Sequence, residues 1–279
     1  MSASVASCLW FDGKAQEAAD FYVSVFPDAV KLADSGVTVS LRVADLELTL
    51  LNGGPEFSIN PSISFFYTCE SEAQVDELWA ELSRGGKEMI ALGSYPFARR
   101  YGWTSDRFGV NWQLIAPLQA PRQRAYPALM FTRAQCGRAE EAMRFYASVF
   151  EDGQVGDISR YGAGMEPDLE GTVNYSQFRI GGRWLSAMDS AGPHDFAFSE
   201  GASLVVTCDG QDEIDRFWAR LSEGGSEGPC GWLKDRFGLS WQVVPRILGE
   251  LMSDPGRAPR VLAAIMKMGK LDIATLEAQ

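Results

Sequence analysis

Apolar positions along the first hundred or so residues change period several times. SCLWF (7–11) is a short apolar run and predicts a strand. KAQEAADFYVSVF (14–26) spaces Ala15, Ala18, Ala19, Tyr22 and Phe26 along one helical face, and Pro27 stops the helix. VTVSLRVADLELTLLNGG (37–54) alternates β-branched and polar residues, breaks at Ala44-Asp45 and closes on Gly53-Gly54, a hairpin pattern. SISFFYTC (62–69) predicts a further strand. SEAQVDELWAELSRGG (71–86) predicts a helix with Val75, Leu78, Trp79 and Leu82 on one face. Ser71 is its N-cap and Gly85 its stop. DRFG (106–109) then turns into a last strand, VNWQLIA. The order is β-α-β-β-β, twice.

The same text returns. FYVSVF (21–26) reappears as FYASVF (145–150), and TCESEAQVDELWAELSRGG (68–86) as TCDGQDEIDRFWARLSEGG (207–225). WTSDRFGVNWQL (103–114) reappears as WLKDRFGLSWQV (232–243). Matches in one order, with length changes confined to loops, mark a duplication of domain-sized units. The second copy is longer around RYGAGMEPDLEG and lacks most of KEMIALGSYPFARRY. The expected organisation is a first domain over 1–118, a linker over 119–126 within APLQAPRQRAYP, a second domain over 127–246, and a helical tail over 247–279. In the tail, Ser253 or Asp254 is the expected cap of a helix with Pro255 at its first position. Val261, Leu262, Ile265, Met266 and Met268 are expected to pack across a domain or subunit boundary. Strands alternating with helices and hairpins give an α+β fold, with curved sheets and helices on one face.

Composition narrows the partners. Among 279 residues, 46% are hydrophobic and 22% charged, with a net charge of -12. An acidic surface repels phosphate backbones and anionic membranes, so neither nucleic acid nor membrane is expected as a partner. No apolar run is long enough to span a bilayer, and MSASVASCLWF has no signal-peptide pattern. Five cysteines without a CxxC pair read as free thiols in a reducing compartment, the cytoplasm. Cys69 and Cys208 occupy the same place in the two copies and read as buried structural thiols.

The stretches CLWFDGKAQEAADFYVSVFPDA, LNGGPEFSINPSISFF, ELWAELSRGG, YPFARRYGW and DRFGVNWQL resemble the PhnB-like branch of the vicinal oxygen chelate (glyoxalase and bleomycin-resistance) superfamily. CGRAEEAMRFYASVF, FWARLSEGG and DRFGLSWQV carry the resemblance through the second copy. It implies tandem domains, each a pair of βαβββ modules with cupped sheets that hold a metal or a small molecule. The family often carries the label 3-demethylubiquinone-9 3-methyltransferase. Methyl transfer of the usual kind needs a Gly-rich loop after a strand, and the nearest candidate is YGAG (161–164).

Metal-dependent relatives place His and Glu on four strands. Matched residue by residue, those positions fall on Ser7 and on Pro127 or Ala128, on Ser62 and Gly201, and on Gln113 and Gln242. Such donors hold zinc, nickel or iron poorly, so no metal and no cofactor is expected. The single histidine, His194, reads as a surface loop residue. Alternation along the last strand puts Trp112 and Gln113 on opposite faces, and the family register puts Gln113 in the cup. The candidate pocket is Trp10, Phe66, Tyr95, Arg99, Tyr101, Trp103 and Gln113. YPFARRYGW (95–103) would be a loop over it, offering stacking faces and a cationic anchor, or a hairpin whose arginines pair with surface carboxylates. The first domain, which alone has this stretch, is the expected home of the pocket. The expected function is metal-free small-molecule binding. An enzyme of the superfamily working through Gln113, and the methyltransferase of the family label, are the alternatives. A tandem pair can pack like a dimer, so a pseudo-dimeric monomer and a homodimer are both open.

Overall fold

The computed structural model describes residues 3–279. Four β-α-β-β-β modules follow one another. The first holds β1 (Ser4–Phe11), α1 (Ala15–Val25), β2 (Ala29–Asp34), β3 (Thr38–Val43) and β4 (Leu46–Asn52). The second holds β5 (Ile63–Thr68), α2 (Glu72–Leu82), β6 (Lys87–Tyr95), β7 (Ala98–Ser105) and β8 (Asn111–Pro117). The third holds β9 (Ala125–Thr132), α3 (Ala139–Val149), β10 (Gln154–Arg160), β11 (Val173–Ile180) and β12 (Arg183–Ser190). The fourth holds β13 (Ala202–Cys208), α4 (Gln211–Ser222), β14 (Ser226–Glu227), β15 (Trp232–Lys234) and β16 (Ser240–Pro245). Three short helices end the chain: α5 (Ile247–Ser253), α6 (Ala258–Ile265) and α7 (Ile273–Glu277). The α+β class and the module order are those expected. Ser71 Oγ caps α2 by accepting from the Gln74 amide at 3.1 Å. β9 already begins at Ala125, inside the expected linker.

The modules pair across the repeat. One eight-stranded sheet runs β14-β15-β16-β13-β1-β4-β3-β2 and joins the first module to the fourth. The other runs β10-β11-β12-β9-β5-β8-β7-β6 and joins the second to the third. The seams are antiparallel, β1 on β13 and β5 on β9. Each half of the sequence therefore contributes to both sheets.

Helices α1 to α4 lie between the sheets. Val5, Leu9 and Phe11 of β1 point inward, as do Leu46, Leu48 and Leu50 of β4, into one core shared with Trp112, Tyr146 and Trp241. The repeated motifs converge there. Tyr22, from FYVSVF, donates to Asp106 Oδ2 of DRFG at 2.8 Å. Trp112 Nε1 donates to the same oxygen at 3.1 Å, and its ring lies 5.4 Å from that of Tyr22. Asp106 Oδ1 accepts from the amides of Phe108 and Val110, closing a turn whose Gly109 has φ 86°. Tyr146, Asp235 and Trp241 repeat the arrangement in the other half. The motifs recur because each ties a strand of one sheet to a helix that covers the other.

The tail departs from expectation. The helix after Asp254 starts at Ala258, with Pro259 rather than Pro255 in its first turn, because Asp254 O takes the Arg257 and Ala258 amides in a tight turn. Val261 and Ile265 are buried with Leu251, Leu271 and Leu276, whereas Leu262 and Met266 are exposed. This cluster packs on Val244 of β16. Met268 O and Gly269 O accept from the Cys230 and Gly231 amides at 2.7 Å. The other sheet fills the matching place with the β6–β7 hairpin, where Tyr101 pairs with Ile115. The tail thus substitutes for the length of hairpin that the second copy, with its short β14–β15 pair, lacks.

Candidate functional site

Each sheet turns its second face outward as a cup. In the sheet that carries β1, inward Leu9, Trp241 and Leu233 leave Cys8, Trp10, Gln242 and Trp232 on the outer face. In the sheet that carries β5, inward Phe65, Trp112 and Leu129 leave Ser64, Phe66, Gln113, Ala128 and Met130 outside. Gln113 and Trp112 therefore face opposite ways, as alternation requires.

Five of the expected pocket residues meet in the β5 cup. Phe66, Tyr101 and Trp103 form a cluster with Ala98, Tyr126, Ala128 and Met130, and Tyr95 packs against it. Gln113 lies at its centre, with Nε2 donating to Ser64 Oγ at 2.8 Å and Oε1 accepting from Tyr101 OH at 2.5 Å. Trp103 Nε1 donates to Asn111 Oδ1 at 3.2 Å. Burial raises the Tyr101 phenol well above its ordinary value. YPFARRYGW is not a loop but most of a hairpin, the end of β6 and the start of β7, at the edge of the sheet. Arg100 pairs with Asp76 of α2 at 2.6 Å, whereas Arg99 is exposed at the tip beside exposed Phe97. Phe66, Tyr101, Trp103 and Tyr126 are each 4–6% exposed, so this cup is filled by its own side chains. The open space on this face lies out on the β10–β11 wing, a groove of about 400 Å³ beside Arg122, Tyr175 and Gln177.

Trp10, which with Arg99 is one of the two expected residues outside that cluster, stands on β1 in the opposite cup, with Phe57 at 5.0 Å and Trp232 at 6.0 Å between ring centroids. Its Nε1 donates to Gly54 O at 2.7 Å, and its indole lies so close to Gly53 that a Cβ there would sit 2.2 Å from the ring. Gln242 repeats the bond of its counterpart, donating from Nε2 to Ser203 Oγ at 3.0 Å. Cys8 lies beside this pair, its thiol pushed up to about 11 by burial. In the second copy CGW (230–232) stands where the first has YGW (101–103), so no tyrosine reaches Gln242. Gln242, Trp10, Trp232, Thr49 and Val205 are all half-buried. This cup is open. The shortened β14–β15 hairpin is the sequence signal for it, since two and three residues cannot curl over the sheet.

The strand positions at the centres of the cups correct the residue matching. Cys8, Thr49, Ser203 and Gln242 stand at one centre, and Ala128, Ser186, Ser64 and Gln113 at the other. Ser7 shares the inward parity of Val5 and Leu9, and Ser62 and Gly201 precede β5 and β13. Neither centre offers an imidazole or a carboxylate. Among the described residues no three His, Cys, Asp or Glu side chains converge. Zinc and nickel centres need several such donors, so these residues do not fit the metal that the fold family implies. His194 is half-buried rather than a free surface residue. Its Nε2 lies 2.8 Å from Ser190 Oγ, which bonds Asp168, because the loop folds back over the end of β12. Cys69 and Cys208 are buried, as expected of structural thiols, and burial pushes both up to about 12.

Comparison with known proteins agrees with this architecture. A PhnB protein from Bacillus cereus is 30% identical over 40% of this chain and 97% of its own, with a TM-score of 0.36. Protein PA1353 from Pseudomonas aeruginosa is 25% identical over 39% of this chain and 94% of its own, with a TM-score of 0.33. Glyoxalase I from Zea mays shares the fold across 91% of this chain and 97% of its own, at 14% identity and a TM-score of 0.57. No curated protein matches the chain. No helix among the described residues is long and apolar enough to cross a membrane. The 3-demethylubiquinone-9 3-methyltransferase family matches residues 3–115 and again 123–244, and the chain belongs to that family in two tandem copies.

Proposed function

We propose that the protein binds a small molecule without a metal, in the open cup formed by β1, β4, β13 and β16. One observation carries this reading: two equivalent glutamines stand at the two cup centres, and only Gln113 is capped by the chain itself. Half-buried Trp10 and Trp232 give the open cup the apolar walls of a ligand site, and Gln242 gives it a fixed polar group. The aromatic set of the other cup is a rigid counterpart that holds its own shape. The family's name refers to methyl transfer. In this chain Tyr161–Gly164 joins β10 to β11, two strands, so it is not a glycine loop leading from a strand into a helix.

The test is a thermal-shift screen of small planar molecules on the full chain, repeated with Trp10→Ala and Gln113→Leu. Hits should vanish with Trp10→Ala and persist with Gln113→Leu. Hits lost only with Gln113→Leu would move the site to the other cup. Hits indifferent to both would remove the cups from the binding reaction.

A further inference from the structure

The polar groups of the open cup define what it can hold. Gln242, half-buried, spends its amide on Ser203 Oγ at 3.0 Å, which leaves Oε1 as the other end of the carboxamide. Among the described residues no tyrosine donates to that oxygen, and only the weakly donating Cys8 thiol lies beside the carboxamide, whereas Gln113 Oε1 takes Tyr101 OH. Trp232 is the cross-strand partner of Gln242. Its indole N–H likewise has no protein acceptor, whereas Trp103 uses Asn111. Ser240, which replaces Asn111 in this copy, is buried with an unpartnered hydroxyl on the same strand face. The cation on β15, Lys234, is held by Glu200 at 2.9 Å. An acceptor and a donor on neighbouring strands, beside two indoles that meet edge to face, and without a free charge next to them, call for a neutral planar partner with the reverse pair.

Resting on the cup assigned above, we infer that the site selects uncharged planar heterocycles with a lactam edge. The ring N–H donates to Gln242 Oε1, the adjacent carbonyl accepts from Trp232 Nε1, and the ring lies against Trp10. A site built to hydrogen-bond a group discriminates strongly against the analogue that lacks it, because its own polar groups are then left unpaired.

Titration of isotope-labelled full-length protein with 2-pyridone, 2-methoxypyridine and benzoate tests this. The reading is the indole N–H resonances of Trp10 and Trp232, assigned by loss in Trp10→Phe and Trp232→Phe. 2-Pyridone should bind about tenfold more tightly than 2-methoxypyridine, the factor expected for one good hydrogen bond. Gln242→Met should erase that preference; if that variant does not fold, the probe series decides alone. Equal binding of the two pyridines, or tighter binding of benzoate, overturns the lactam selectivity while the cup stands. Unmoved Trp10 and Trp232 resonances with every probe, and with every hit of the thermal-shift screen, overturn the cup itself.

Discussion

Asp106 and Asp235 each accept two backbone and two side-chain hydrogen bonds inside the core. Burial raises the Asp106 carboxyl to about 6, although its four donors pull the other way, and Asp235 is raised by the same cause. An unfolded aspartate titrates near ~3.9. Between those values the folded chain binds more protons than the unfolded one. The contribution of Asp106 is therefore full at the acid end of this window and is lost as pH rises through about 6. Asp106→Asn turns an amide toward Trp112 Nε1 and leaves that donor unpaired. We expect a loss of about 1–3 kcal/mol, with the gap between the native chain and the variant narrowing from pH ~5 to ~7 in denaturant titrations. At this scale the sequence displayed the DRFG pair and the opposite facing of Trp112 and Gln113 plainly, because strand alternation is local, while the family resemblance implied which of them faces the cup. It misplaced Ser7 by one residue, a slip that exchanges the faces of a strand, and Ser62 and Gly201 by two, which keeps the face but falls before the strand begins, because nothing local fixes the count from a family position. Cys8 and Ser64 at the cup centres were missed because the count from a family position was off by one residue in the first case and by two in the second.

Elements were more legible than their partners. Helical spacing, caps and hairpin breaks fixed α1, α2, β3 and β4 nearly to the residue. The role of the tail was hidden, because its apolar residues carry no mark of what they cover. In the fold they cover Val244 and hold Cys230–Gly231 by backbone hydrogen bonds, where the first copy spends a hairpin. Leu271 is fully buried in that cluster, and its carbonyl accepts from Gln211 at the start of α4. Leu271→Ala should cost about 2–5 kcal/mol, the range for emptying a buried leucine site. Hydrogen exchange should quicken first along β15 and the end of β16. Equal quickening in the β6–β7 hairpin would mean that the tail supports the whole fold rather than this edge.

The whole molecule is a pseudo-dimer whose two sheets both cross the repeat boundary. Duplication was evident in the sequence, but the pairing was not. Strands β1, β5, β9 and β13 are similar apolar runs, and pairing β1 with β13 instead of β5 changes no local preference. Two consequences follow from the seams. A first half made alone, residues 1–122, has the inner edges of β1 and β5 unpaired, and an exposed apolar edge recruits another strand. It should therefore not run as a folded monomer. The two halves made as separate chains, 1–122 and 123–279, should assemble one to one, since β1–β13 and β5–β9 pairing survives the cut while only the β8–β9 connection is lost. Light scattering after co-expression reads both outcomes. A stable monomeric first half would mean that its own modules can close on each other, and that the crossed sheets are a choice the tandem linkage imposes rather than the arrangement the strands prefer.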